Sequence, residues 1–183
     1  MQEEVGLQGI TDGEYRRTYF HIDFLEHLEG VAVEGGISVK FHSNQGEIDF
    51  APPRLKVVGR LRHTHDIQRA DFEFLKSVTS KVPKVCIPSP TMVHFRGGRD
   101  AIDQEAYPQL DQFFEDLAQC YRDELSALAK AGCTYVQLDD TNLAYLCDPA
   151  LRQGVIERED DPNELPRLYA RLINESIRDC PLK

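Results

Sequence analysis

The run Ala131-Gly132-Cys133-Thr134-Tyr135-Val136-Gln137-Leu138-Asp139-Asp140-Thr141-Asn142 leaves the chain few folds to choose from. A long amphipathic pattern ends at Gly132, the residue type most used to end a helix in the left-handed conformation. Residues 134–138 are β-branched and apolar, and have the length of one buried strand. The run stops on two carboxylates, then on Thr141 and Asn142, which suit the cap of another helix. Helix, glycine, strand, then acids at the strand's C-terminal end is the order in which α/β sheets and barrels place their chemistry. One acid suffices for a cap, so two in succession point to a site as well.

The same rhythm recurs upstream. Residues 7–11 form a strand candidate ending in the charged turn Asp12-Gly13-Glu14-Tyr15-Arg16-Arg17. A helix carrying Phe20, Phe24, Leu25 and Leu28 follows, closed by Gly30. Residues 31–50 break the pattern. Alternation over 37–41, with Gly35-Gly36 before it and Asn44-Gln45-Gly46 after, predicts an inserted antiparallel hairpin. Residues 55–61 are the second strand, followed by a helix that Asp66 would cap. Residues 84–89 are the third strand. The longest helix follows, with Leu110, Phe113, Phe114, Leu117, Tyr121, Leu125 and Leu128 as its buried stripe. The stretch 142–147 predicts a short helix, and a last one begins near Asp160.

Four strands alternating with helices predict adjacent parallel strands whose C-terminal ends share one rim. No G-x-G-x-x-G fingerprint is present, and periodicity alone leaves a doubly wound sheet and a barrel both open. A complete (β/α)8 barrel needs about 200 residues or more. On the barrel reading the chain is therefore one incomplete domain over residues 1–183, about four βα units with an insertion at about 31–53. Residues 2–5 read as the tail of a helix and the last helix lacks a following strand, which also predicts a segment of a longer protein. The open edges of such a segment would permit self-association.

With 41 % apolar and 28 % charged residues and a formal net charge of −10 over 183 residues, the chain has room for a sizeable core. The acidic balance argues against nucleic acid and anionic membranes as partners. No apolar run approaches the roughly 20 residues of a membrane span, and the start is unlike a signal peptide. Five scattered cysteines without a C-x-x-C pair predict reduced thiols and a cytoplasmic location.

Three strand exits present polar groups: Asp12 and Glu14, Ser89 and Thr91, Asp139 and Asp140. Converging at one mouth, they would make an acidic pocket for a small-molecule substrate bearing an ammonium group, or for a metal. Glu14 could equally form an ion pair with Arg16 or Arg17, and Asp139 or Asp140 could serve as a cap. His63 and His65 share one face of an extended segment and could ligate a metal, as in amidohydrolase-type hydrolases acting with Asp139.

Read together, Gly9-Ile10-Thr11-Asp12-Gly13-Glu14-Tyr15-Arg16-Arg17, the strand 55–61, Ile87-Pro88-Ser89-Pro90-Thr91 and Val136-Gln137-Leu138-Asp139-Asp140 resemble the catalytic domain of cobalamin-independent methionine synthase. The resemblance covers essentially the whole chain and is nearest to the short single-domain relatives of that enzyme. It implies a (β/α)8 barrel and zinc-dependent methyl transfer from methyltetrahydrofolate, or a related donor, to a thiol such as homocysteine. It further implies that Glu14 and Asp139 hold the amino group of homocysteine from opposite strands, with Asp139 the catalytic residue expected in this chain. Asp140 stands where the family usually has glutamate, and Ser89-Pro90-Thr91 replaces a Gly-Pro turn close to folate or substrate. The family's zinc ligands begin with a His-x-Cys pair, which this chain lacks. Zinc ligands are therefore expected outside it, and the chain alone is expected to be inactive, or a fragment keeping an amine-binding pocket.

Overall fold

Twenty-one residues of helix, α4 (Leu110–Lys130), carry most of the core. Phe113, Leu117, Tyr121 and Leu128 are fully buried at the three- and four-residue spacing of one helix face. They pack against Phe24, Leu25, Val57, Phe72, Val85 and Ile87. The helix ends as its sequence predicts, with Gly132 at φ 93° and its N–H donating to the Ala129 carbonyl at 2.9 Å. The computed structural model describes residues 1–36, 39–43, 46–50 and 53–180, with 39–43 and 46–50 given by their backbone.

The described elements alternate as a mixed α/β chain. β1 (Gly9–Ile10) leads through a charged turn to the one-turn helix α1 (Ile22–Leu25), much shorter than its apolar stripe predicts. Then come β2 (Glu29–Glu34), the hairpin strands β3 (Val39–Ser43) and β4 (Gly46–Phe50), and β5 (Arg54–Arg62). Helix α2 (Arg69–Val78) precedes β6 (Val82–Pro83) and β7 (Val85–Pro88). Helix α3 (Thr91–Phe95) and a 3-10 turn at Gly98–Ala101 lead into α4. After β8 (Val136–Asp139) come α5 (Asn142–Tyr145), α6 (Pro149–Glu157) and α7 (Leu165–Ser176). Helix α6 was not expected from periodicity. Its signal was Asp148-Pro149, a capping carboxylate that accepts the Ala150 and Leu151 N–H groups, with proline in the first turn.

Three of the four expected strands run parallel. Gly9 and Ile10 of β1 pair with Val82 and Pro83 of β6, and β7 pairs with β8 from Val85–Val136 to Pro88–Asp139. The Lys84 N–H donates to Ile10 and the Val85 N–H to Tyr135. Successive amides of one continuous segment thus serve β1 on one edge and β8 on the other.

The fourth expected strand departs from this scheme. β5 pairs antiparallel with β2, from Val31–Val57 to Glu34–Arg54, and touches the chain after α3 through a parallel bridge between Val57 and Ile102. Among the described residues it has no pairing with β1, β7 or β8, so the antiparallel excursion extends beyond Pro53 to take in β5. The β3–β4 hairpin itself is antiparallel as expected, while Ile37 and Ser38 lie outside the described residues. β2 begins with a register shift at Gly30, whose φ is 90°, and the Arg60 carbonyl oxygen lies 2.6 Å from where a Cβ would stand. Only glycine meets both conditions.

Candidate active site

The turn after β1 places Glu14 by side-chain control of the backbone. The Asp12 carboxylate accepts the Glu14 N–H at 3.0 Å, and the Thr11 hydroxyl accepts the Gly13 N–H at 3.3 Å. Gly13 and Glu14 both hold positive φ, 73° and 57°. A non-glycine residue in that region carries a cost of about 1–3 kcal/mol and persists where the surroundings over-determine it. The Arg17 N–H closes the turn on the Glu14 carbonyl at 3.0 Å.

The parallel pairing then brings three side chains together. One donor atom each from Glu14, Cys86 and Asp139 lies within 4.8 Å of the other two. Cys86 is on β7 and Asp139 ends β8, whose backbone carbonyl accepts the Ser89 N–H at 2.8 Å. The Gln137 side-chain amide donates to the Asp139 carboxylate. Burial pushes the Cys86 thiol up, and the Asp139 and Glu14 charges add to this, while Lys84 and Arg17 oppose it.

Arg17 ties this cluster to the rest of the fold. Its side chain is buried, 7 % exposed, and lies 3.7 Å from the Glu14 carboxylate. Its guanidinium donates to the Cys86 carbonyl at 2.9 Å and to the Gln68 side-chain oxygen at 2.8 Å. Gln68 is held in turn from α4. The fully buried Glu124 carboxylate accepts the Gln68 N–H at 2.8 Å, the Ile67 N–H at 2.9 Å and an N–H of His63 Nε2 at 2.7 Å. Glu124 therefore supplies the cap of α2 that Asp66 was expected to provide. The hydrogen bond to Glu124 raises the pKa of His63 against the opposing effect of burial.

The remaining expected site residues have other surroundings. Asp140 accepts the Thr91 hydroxyl at 2.9 Å and the Asn142 N–H at 2.8 Å, which makes it the cap of α5. Asn142 donates to the Thr91 hydroxyl at 2.8 Å, and Ser89, Thr91 and Asn142 are fully buried. These groups lock the exit of β7 to the exit of β8. Asp12 accepts from Arg16 at 3.3 Å besides holding Glu14. His63 is engaged with Glu124, and the exposed His65 packs edge-on against His27 with ring centroids 5.5 Å apart. Because β5 is outside the parallel strands, the strand-end setting expected for His63 and His65 is absent, and they do not join Glu14, Cys86 and Asp139 in a donor set.

A cavity of about 650 Å³ lies against β5, α3 and the 3-10 turn, and none of Glu14, Cys86 and Asp139 lines it. Ile22, Leu55, Val93 and Phe95 give it an apolar lining, and Arg54, Lys56, Arg96 and Arg158 outnumber Glu34 and Asp100 around it. Met92 lines it too and is in contact with Thr141 at 4.0 Å, two residues past Asp139.

Comparison with known proteins decides the family. The model of the cobalamin-independent synthase catalytic domain matches residues 1–170. The chain belongs to this family. It is 37 % identical to the uncharacterized protein YxjH of Bacillus subtilis (strain 168), across 98 % of this chain and 46 % of that one. A Listeria monocytogenes structure, assigned as a vitamin-B12-independent methionine synthase, superposes with a TM-score of 0.74 at 37 % identity. That match covers 98 % of this chain and 48 % of the other. The 5-methyltetrahydropteroyltriglutamate–homocysteine methyltransferase of Saccharomyces cerevisiae is 30 % identical over 86 % of this chain and 18 % of its own length. This synthase-family chain thus spans about half the length of the nearer relatives it matches.

The ion pair with Arg17 that the sequence allowed for Glu14 is formed, with the Arg17 side chain buried and Glu14 half-buried. Gln68 and Glu124 were missed. The available signal was an acid at position 124 inside the apolar stripe of α4, between Tyr121 and Leu125, where a solvated charge does not belong.

Proposed function

We propose that this chain forms the amino-acid side of a methyltransferase site, in which Glu14 and Asp139 grip the ammonium group of homocysteine or a related aminothiol. The observation that carries this reading is the convergence of those two carboxylates, with Glu14 held in a left-handed backbone conformation by Asp12. Two ionised carboxylates facing each other repel, and a single ammonium relieves the repulsion while adding charge-assisted hydrogen bonds. Asp140, Thr91 and Ser89 support the site by fixing the two strand exits. The cavity against β5 and α3 is assigned to the methyl donor: its volume lies in the range of small-molecule sites, and its apolar lining and excess of cations match an anionic folate such as methyltetrahydrofolate.

The parallel strands belong, on this reading, to a (β/α)8 barrel shared with residues outside this chain, and the location is the cytoplasm. Zinc does not fit the acid cluster. Its donors are two carboxylates and a thiol pushed up by burial, with a guanidinium already against Glu14. The zinc ligands of the reaction are therefore sought in residues this chain does not contain.

Calorimetric titration of L-homocysteine into wild type, Glu14→Gln and Asp139→Asn tests the assignment. Each substitution is expected to weaken binding about tenfold or more, since hydrogen bonds to charged groups contribute about 1.5–3 kcal/mol. Unchanged affinity in both variants would sink it.

A further inference from the structure

We propose that Arg17 fixes the charge of the Glu14–Asp139 site, so that it takes a single ammonium group and refuses a divalent metal ion. The inference rests on the amine reading above and adds the selectivity of the site.

Two carboxylates and a thiol within 4.8 Å are a donor set that a borderline dication such as zinc could use. What distinguishes this set is the buried guanidinium beside it. Arg17 is 3.7 Å from Glu14 and 7 % exposed, so its charge is poorly screened by solvent. With both acids ionised, the three charges sum to one negative, which one ammonium neutralises and a dication would overshoot. Of the other charges nearby, Lys84 also acts on Cys86 from the positive side, which adds to the cost of a dication, and the rest have partners of their own. Asp12 is bound to Arg16, and Arg16 also reaches Asp71 at 2.9 Å. Lys84 lies over the Tyr135 ring, 5.2 Å from its centroid, and Asp140 is taken by Thr91 and Asn142.

Arg17 cannot swing away to admit a metal ion. Its two terminal nitrogens are committed to the Cys86 carbonyl and to Gln68, and Gln68 is pinned by Glu124 from α4. The chain from Glu124 through Gln68 to Arg17 thus makes a fixed positive charge part of the site. The thiol agrees with this picture, since burial keeps Cys86 protonated and a poor metal ligand.

The experiment titrates zinc and cadmium into the folded chain in the presence of a weak chelator. The ultraviolet cadmium–thiolate band and calorimetry are the readouts. Wild type is expected to show no cadmium–thiolate band beyond that of Cys86→Ser. Arg17→Gln is expected to gain zinc affinity by at least about tenfold, with a band that disappears when Asp139→Asn is added. Arg17→Lys keeps the charge and should refuse zinc as wild type does. A Cys86-dependent band in wild type, or equal zinc affinity in wild type and Arg17→Gln, would overturn the proposal. Where Arg17→Gln fails to fold, the wild-type and Cys86→Ser comparison can still overturn the proposal, and Arg17→Met, which keeps the side-chain length without the charge, repeats the test of the charge itself. Homocysteine titration of Glu14→Gln is a separate measurement, so failure of the amine reading is told apart from failure of the charge argument.

Discussion

The Glu124 carboxylate accepts the Gln68 N–H at 2.8 Å across 56 residues of sequence, from the middle of α4 to the start of α2. One buried acid thereby caps a helix, holds His63 and fixes the residue that anchors Arg17. Glu124→Gln keeps the shape but loses the charge and part of the accepting capacity. It is expected to destabilise the fold by about 3 kcal/mol. Urea unfolding of the two proteins checks this, and a change within 0.5 kcal/mol, the size of an ordinary surface substitution, would show the cap to be dispensable.

His63 makes stability depend on pH in a stated direction. Its folded pKa is raised above the ordinary 6.5 by Glu124, so the protonated form is favoured in the folded chain. The contribution is full below about pH 6.5 and is lost as pH rises through the raised value. Wild type should therefore lose stability relative to His63→Gln between pH 6 and pH 9. Parallel denaturation curves at those two values settle the sign.

His21 and His94 act at the other end of the scale. Burial drives both down to about 4, helped by Arg96 near His21 and by Arg158 near His94. The unfolded chain takes up these protons near 6.5 while the folded one resists until about 4, so stability falls as pH drops through that window. Each histidine accounts for a loss on the order of 3 kcal/mol. His94→Gln, which can still bond to the Tyr169 hydroxyl, should shift the midpoint of acid unfolding downward. An unchanged midpoint would count against the assignment.

Gly30→Ala should be among the more damaging single-methyl changes in the chain. Its positive φ alone costs a side chain about 1–3 kcal/mol, and the Arg60 carbonyl occupies the space the new methyl needs. The expected outcome is a clear drop in thermal midpoint, with β2 and β5 losing amide protection in hydrogen exchange before α4 does.

Much of the fold is legible locally because its causes are local. Helix α4 follows from three- and four-residue spacing of apolar side chains, its end from Gly132, and β8 from a short apolar run closed by Asp139 and Asp140. The meeting of Glu14 with Asp139 was also foreseeable, since parallel strands carry their C-terminal ends to one side. The family resemblance named the same two residues.

The pairing of β5 was not legible. Its alternating apolar pattern suits a parallel or an antiparallel neighbour equally, and hydrogen bonds between strands depend on a partner distant in sequence. The choice fell to β2 because Gly30 lets the two backbones approach and shift register, a close contact that exists only once the chain has turned back on itself. The helix of residues 20–28 shrank to the single turn of α1 for a related reason, as tertiary packing overrides a short amphipathic stripe. Cys86 and Arg17 joined the site in the same way. A strand shows which residues share a face, but whether a thiol meets two acids and a buried guanidinium depends on which strands lie side by side. Likewise, an acid at position 124 is costly to bury alone and becomes stable only when His63, Ile67 and Gln68 bring it three donors.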